Sequence, residues 1–285
     1  MSTFSEANRK AFNELSETYN TKPWQQKLSS QVSEALQKRE DWIGVQWATP
    51  GDGRDVRLLD YACGTGSITK ALGPYVTTIQ GIDISENMVE QYNKAALSSG
   101  MKPENANAVV GDLFAEKVPE HLAGERFQGF DIAVIGLGFH HFEDPTLSVK
   151  RLVERLKPEG VLVIVDFLPF DHDHQQATDA DAHGMAHTIK HNGFEAGEME
   201  KLFTKAGLED FGWSVLAEPA TLEFERGTVD RTLFVARGRR PATTWNKMMT
   251  WASGMQDQLG GQLDPRADGQ HVPPGGHFGL RADGT

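Results

Sequence analysis

Cysteine is almost absent from this 285-residue chain: Cys63 stands alone. That excludes an intramolecular disulfide framework and any cysteine-based zinc cluster. Long apolar runs are missing as well. The longest, "VLVIV", falls far short of the roughly 20 residues that cross a bilayer, and the opening "MSTFSEANRK" is polar where a signal peptide needs an apolar segment. The chain is therefore expected to be cytoplasmic and to span no membrane. Positive charge is in deficit, with 28 Lys and Arg against 40 Asp and Glu and a formal net charge of −12. No basic run is dense enough to follow a phosphate backbone, which argues against general nucleic-acid binding. What remains, with 39% apolar residues, is enough for one packed domain with additions.

Residues 4 to 40 carry apolar positions near helical spacing, among them Phe12, Leu15, Tyr19, Trp24 and Val32, with a break at Lys22-Pro23. Two amphipathic helices are expected there, as an N-terminal cap over 1–40. From "VRLLDY" (56–61) short apolar runs alternate with amphipathic ones: "VTTIQGID" (76–83), "ANAVVGD" (106–112), "FDIAVIG" (130–136) and "GVLVIVDF" (160–167). Runs this apolar suit strands of a parallel sheet covered on both faces. Ser85 can cap a helix that turns Met88, Val89, Tyr92 and Ala96 inward, and Asp144-Pro145 can open another. "FGWSVLAEP" to "TLEFE" and "RTLFVARGR" have the spacing of an antiparallel pair closing the sheet edge. The fold class is thus α/β: a Rossmann-like, doubly wound, mostly parallel seven-stranded sheet with an antiparallel edge strand, over 41–240. Beyond 240 lies a tail with a helical stripe from Trp245 to Met255. Its last stretch, 259–285, holds seven Gly and three Pro and is expected to be disordered.

"LLDYACGTGSI" (58–68) sits where the first strand meets the first helix. Gly64 and Gly66 let the backbone pass close beneath a ligand. Seventeen residues past Gly66, Asp83 ends the second strand, where a carboxylate can accept both hydroxyls of a ribose. "GDLF" (111–114) puts Asp112 on the same edge. A nicotinamide dehydrogenase shares the first two features, but its fingerprint needs a third glycine where this chain has Thr69.

Together "LLDYACGTG", "GIDIS", "GDLF", "GLGFHHFED" and "LKPEGVLVIVDF", in this order, resemble the motifs of class I S-adenosylmethionine-dependent methyltransferases. The likeness is to the small-molecule group that includes the ubiquinone and menaquinone C-methyltransferases. It covers residues 40 to about 238 and is poorly specific for substrate. The resemblance implies S-adenosyl-L-methionine as cofactor. It implies that Asp60, Ala62, Cys63, Gly64 and Gly66 hold its methionine part, that Asp83 binds the ribose, and that Ile84, Met88, Asp112 and Leu113 surround the adenine. Tyr19 is implied as a contact to the carboxylate end. Cys63 reads as a filler rather than a nucleophile, since methyl transfer needs no thiolate.

A sulfonium already carries an activated methyl group, so a base matters only if the acceptor arrives protonated. His140 and His141, after the fourth strand, are the catalytic candidates. The family often has a histidine at the second position in unrelated chemistries, so His140 is ranked first. His140→Ala is expected to lower turnover while sparing cofactor binding. Phe139, Phe142, Phe167 and Phe170 are candidate walls for an apolar or aromatic acceptor.

Seven of the ten histidines fall between 140 and 191, three of them in "HGMAHTIKH" (183–191). A helix spreads His183 and His191 about 12 Å apart, so one helix cannot wrap one ion with all three histidines, and no metal site is assigned. The segment about 168–193 reads instead as a substrate lid, with His187 and His191 as its first candidates, or as a solvated helix face. The leading reading is a methyltransferase for a small metabolite. The alternative is a methyltransferase-like binding or regulatory protein acting through its tail, where a homodimer or protein partner would attach.

Overall fold

The computed structural model describes residues 2–170, 185–224 and 227–243. The tail beyond 243, the histidines at 172, 174 and 183, and the Trp245 stripe lie outside them.

The alternation of runs is realised as α1 (Thr3–Leu15), α2 (Pro23–Gln37), the short α3 (Glu40–Ile43), β1 (Arg57–Tyr61), α4 (Ser67–Leu72), β2 (Thr78–Asp83), α5 (Glu86–Ser98) and β3 (Ala106–Val110). There follow β4 (Phe130–Gly136), α6 (Pro145–Val153), β5 (Leu156–Phe167), α7 (Ala196–Lys205), β6 (Glu209–Val215), β7 (Ala220–Phe224), β8 (Gly227–Arg231) and β9 (Leu233–Arg239). Local chemistry sets the helix starts. The Ser85 hydroxyl accepts from the Met88 amide, and the Asp144 carboxylate accepts from Leu147 ahead of Pro145. Met88, Val89, Tyr92 and Ala96 are the buried face of α5, as their spacing requires.

Seven strands form one sheet in the order β3-β2-β1-β4-β5-β9-β6, all parallel except β9. The antiparallel strand is therefore not at the edge, as the sequence order suggested. It lies one place in, between β5 and a parallel edge strand β6. "TLEFE" is not part of this sheet either: β7 pairs with β8 in a separate hairpin. "KPEG" (157–160) forms a bulge within β5, where the partners jump from Phe130↔Leu156 to Ile132↔Val161.

Alternation along the strands divides the core in two. Leu58, Ile132, Val134, Val161 and Val163 face α2, α4 and α5, while Leu59, Ala133, Ile135, Leu162 and Ile164 face α6 and α7. Strand order reverses between β1 and β4, and at such a switch point in an open α/β sheet the carboxyl ends of the strands leave a crevice. α1 closes over this crevice. Asn13 on α1 accepts from the Ser85 hydroxyl at 2.7 Å and the Asn87 amide at 3.1 Å, and donates to Glu86 at 2.7 Å. Arg9 adds a two-pronged contact to Glu86 at 2.7 and 2.8 Å. Among the described residues no helix is long and apolar enough to cross a membrane.

Candidate active site

A cavity of about 400 Å³ opens at the carboxyl ends of β1, β2 and β4, within the range of small-ligand sites. Its walls include Tyr19, Ala62, Gly64, Asp83, Ile84, Met88 and Asp112. A smaller pocket of about 120 Å³ shares Tyr19, Ala62, Gly64 and Leu137 with it and adds Cys63.

The glycine turn shows why these residue types stand here. Gly64 has φ +49°, and a side chain built on it would meet nothing within 4 Å, so the backbone borders open space. The Gly64 amide donates to Asp83 Oδ2 at 2.8 Å, and the Ser85 amide donates to Asp83 Oδ1 at 2.9 Å. Each carboxylate oxygen can accept twice, so Asp83 keeps acceptor capacity beyond these bonds. Burial pushes its pKa up, and the backbone donors of Ser85, Gly64 and Ile84 pull it back. Gly66 has φ +91° and abuts Tyr92, whose ring would stand 3.2 Å from an added Cβ, so Gly66 serves the turn and not the cavity wall. Ala62 and Leu137 adopt positive φ, 54° and 59°, without being glycine. Such strain, of order 1–3 kcal/mol per residue, concentrates where a site over-determines the backbone.

Asp60 does not reach the main cavity. Its Oδ2 accepts from the Thr69 amide at 3.2 Å and hydroxyl at 2.8 Å, and its Oδ1 has no partner among the described residues. Complete burial pushes its pKa up to about 7, against the pull of the Thr69 donors. Thr69, at the position a dinucleotide fingerprint gives to glycine, thus ties the turn to Asp60 and, at 2.6 Å, to the Tyr92 hydroxyl. Cys63 is 5% exposed, and burial together with the carboxylates of Asp60 and Asp83 drives its thiol pKa well up. A buried, protonated thiol is no nucleophile. Leu113 is fully buried behind the wall, and the adjacent Phe114 lines the cavity in its place.

The structure sets the two catalytic candidates in different surroundings. His140 is 6% exposed and absent from the cavity wall; its Nδ1 meets Asp166 Oδ1 at 2.8 Å and its amide donates to Asp166 Oδ2 at 3.0 Å. His141 lines the cavity. Its Nδ1 lies 2.8 Å from the Thr188 carbonyl, which can only accept, so Nδ1 carries the proton and Nε2 the lone pair. Desolvation and the neighbouring His140 hold the His141 pKa well below the usual imidazole value. The ring stays neutral through the physiological range.

Of the substrate candidates, Phe139 is fully buried against Phe142 and Phe194 rather than on the cavity. His187 is exposed, and His191 Nε2 bonds the Phe142 carbonyl at 3.0 Å; neither lines the cavity. At the described end of the segment, the Lys190 and His191 amides both donate to the His140 carbonyl and brace the histidine turn. Phe167 and Phe170 lie off the wall; Phe142 is on it. The sequence predicts an N-terminal cap, but not the α1 residues that line the cavity, Ser5, Asn8 and Phe12. The helical spacing of Asn8 and Phe12 was the available signal. Among the described residues no group of His, Cys, Asp and Glu could hold a metal ion.

These features define a Rossmann-like methyltransferase fold, and comparison with known proteins places the chain further. The family described as "Methyltransferase domain" matches residues 16–211, and the chain belongs to it. An uncharacterized methyltransferase of Schizosaccharomyces pombe is 33% identical over 160 residues, 54% of this chain and 53% of the relative. The demethylmenaquinone methyltransferase of Staphylococcus aureus is 31% identical over 117 residues, 40% of this chain and 44% of the relative. The match thus spans about half the length of these relatives. Among solved structures, an S-adenosylmethionine-dependent methyltransferase of Anabaena variabilis superposes with a TM-score of 0.61 at 19% identity, covering 84% of this chain and 96% of that one. A magnesium protoporphyrin IX methyltransferase of Synechocystis, solved with bound S-adenosylhomocysteine, gives 0.57 at 13%, covering 83% and 99%. Both likenesses concern the fold.

Proposed function

We propose that this protein is an S-adenosylmethionine-dependent methyltransferase that passes a methyl group in line to a small aromatic or apolar metabolite in the cytoplasm. The observation that carries the reading is the Gly64–Asp83 pair. A glycine amide bonded to a strand-end carboxylate at 2.8 Å borders open space on one side and leaves that carboxylate with acceptor capacity to spare. In this reading Tyr19, Ala62 and Gly64 hold the methionine part of the cofactor and Asp83 its ribose diol. Ile84, Met88, Asp112 and Phe114 enclose the adenine. Bound there, the cofactor would supply an activated methyl on a sulfonium. The chain's remaining task is positioning, which in well-aligned reactions is worth roughly 7 to 11 kcal/mol of barrier. Phe12, Phe142 and Leu137 exclude water from the acceptor side, and His141 Nε2 orients a donor group or takes a proton from it. A thermal-shift comparison tests the reading. S-adenosylhomocysteine should raise Tm in a concentration-dependent way and NAD should not; the reverse pattern would contradict it.

A further inference from the structure

We propose that the acceptor is a neutral aromatic amine, bound through its N–H groups by Asn8 and His141 and leaving the site as a cation through an acidic rim. The inference rests on the methyltransferase reading above and names its substrate class. It starts from two side chains whose donors are already committed. Asn8 is 3% exposed, and its amide nitrogen donates to the Phe4 carbonyl at 3.1 Å. A carbonyl only accepts, so that end of the amide is fixed as nitrogen, and the Oδ1 is left buried with no partner among the described residues. His141 repeats the logic: Nδ1–H goes to the Thr188 carbonyl, and the Nε2 lone pair remains. Asn8 and His141 line the same cavity, and Phe12, one helical turn beyond Asn8, stands edge-on to the His141 ring at 5.2 Å. A buried acceptor without a donor is costly, and a ligand N–H removes the cost.

Charge points the same way. Among the described residues no Lys or Arg lines the cavity, whereas Asp83, Asp112, Glu116, Glu143 and Asp144 do. Asp83 and Asp112 are the pair assigned to the cofactor, which leaves three exposed carboxylates at the rim. A carboxylate or phosphate acceptor would meet like charge with no counter-ion. A phenol would first have to ionise among those carboxylates, with only the weakly basic His141 to take its proton. An arylamine needs no prior deprotonation. Its nitrogen lone pair forms the N–CH3 bond as the C–S bond breaks with its electrons left on sulfur. The positive charge passes to nitrogen, and the arylammonium releases its proton to water at the rim. α1, which supplies Asn8, precedes the residues matched by the family, so this recognition belongs to the chain's own roof.

Three probes of one shape decide it: naphthylamine, naphthol and naphthoate, titrated calorimetrically into protein saturated with S-adenosylhomocysteine, with transfer of labelled methyl followed in parallel. Naphthylamine should bind at least tenfold more tightly than naphthoate and more tightly than naphthol, and be the methylated probe. Asn8→Leu should weaken naphthylamine about tenfold while leaving the affinity for S-adenosylhomocysteine unchanged. Preference for naphthol or naphthoate, or no binding by any probe, in protein that binds S-adenosylhomocysteine, overturns this inference alone. Failure to bind S-adenosylhomocysteine overturns the reading beneath it and this inference with it. Should Asn8→Leu not fold, the wild-type ranking still decides.

Discussion

Asp60 should make the stability of this protein fall as pH rises from 4 to 7, and Asp60→Asn should remove that fall. The carboxyl is wholly buried, one oxygen has no donor among the described residues, and its pKa stands at about 7 against an ordinary 3.8. In that window the unfolded chain has released the Asp60 proton while the folded chain still holds it, so the folded state binds more protons and loses stability with increasing pH. A displacement of about 3 units is worth roughly 4 kcal/mol, lost at up to about 1.4 kcal/mol per pH unit and constant above the folded pKa. Asparagine keeps an oxygen for the two Thr69 donors and cannot ionise. Urea denaturation of both proteins from pH 5 to 8.5 gives the difference directly, and other titrating groups cancel in it. The variant should gain on the wild type by a few kcal/mol across the window. Parallel curves would refute the assignment of a buried, proton-holding Asp60.

Asn13→Ala removes three side-chain hydrogen bonds between α1 and the β2–α5 turn. At about 1 kcal/mol each, that should loosen the roof, seen as faster limited proteolysis within the first 20 residues that S-adenosylhomocysteine slows again. His140→Ala removes the ring hydrogen bond to the buried Asp166, leaving the amides of residues 140 and 167 as its donors, and should cost roughly 1 to 3 kcal/mol of stability in chemical denaturation. His141→Ala should instead cut turnover with cofactor affinity retained; the opposite division between the two variants would restore the sequence-based ranking.

Much of this was legible in the chain because the chemistry demands particular residue types at particular places. A helix cap needs a Ser85 or an Asp144, a tight strand-to-helix turn needs glycine, and a carboxylate that reaches the carboxyl edge of the sheet must end a strand. The rest depended on partners far away in sequence. His140 and His141 are neighbours on a single turn, and what separates them is Asp166, 26 residues on, and the carbonyl of Thr188. Leu113 and Phe114 differ only in which side of the wall they face. The position of β9 between β5 and β6 is a matter of spatial order, which chain order does not carry. Asn8 becomes a site residue only because α1 folds back over the sheet edge and is fastened there by Arg9 and Asn13.

On the function proposed above, Asp83 and the Gly64 turn form a nucleoside-sulfonium site. Calorimetric titration of the purified protein with S-adenosylmethionine, beside Asp83→Ala, tests it most directly. Micromolar affinity in the wild type that falls at least tenfold in the variant is the predicted result, matching the loss of hydrogen bonds to a charged group. Absence of binding to folded wild type, or equal affinity in the two proteins, would contradict it.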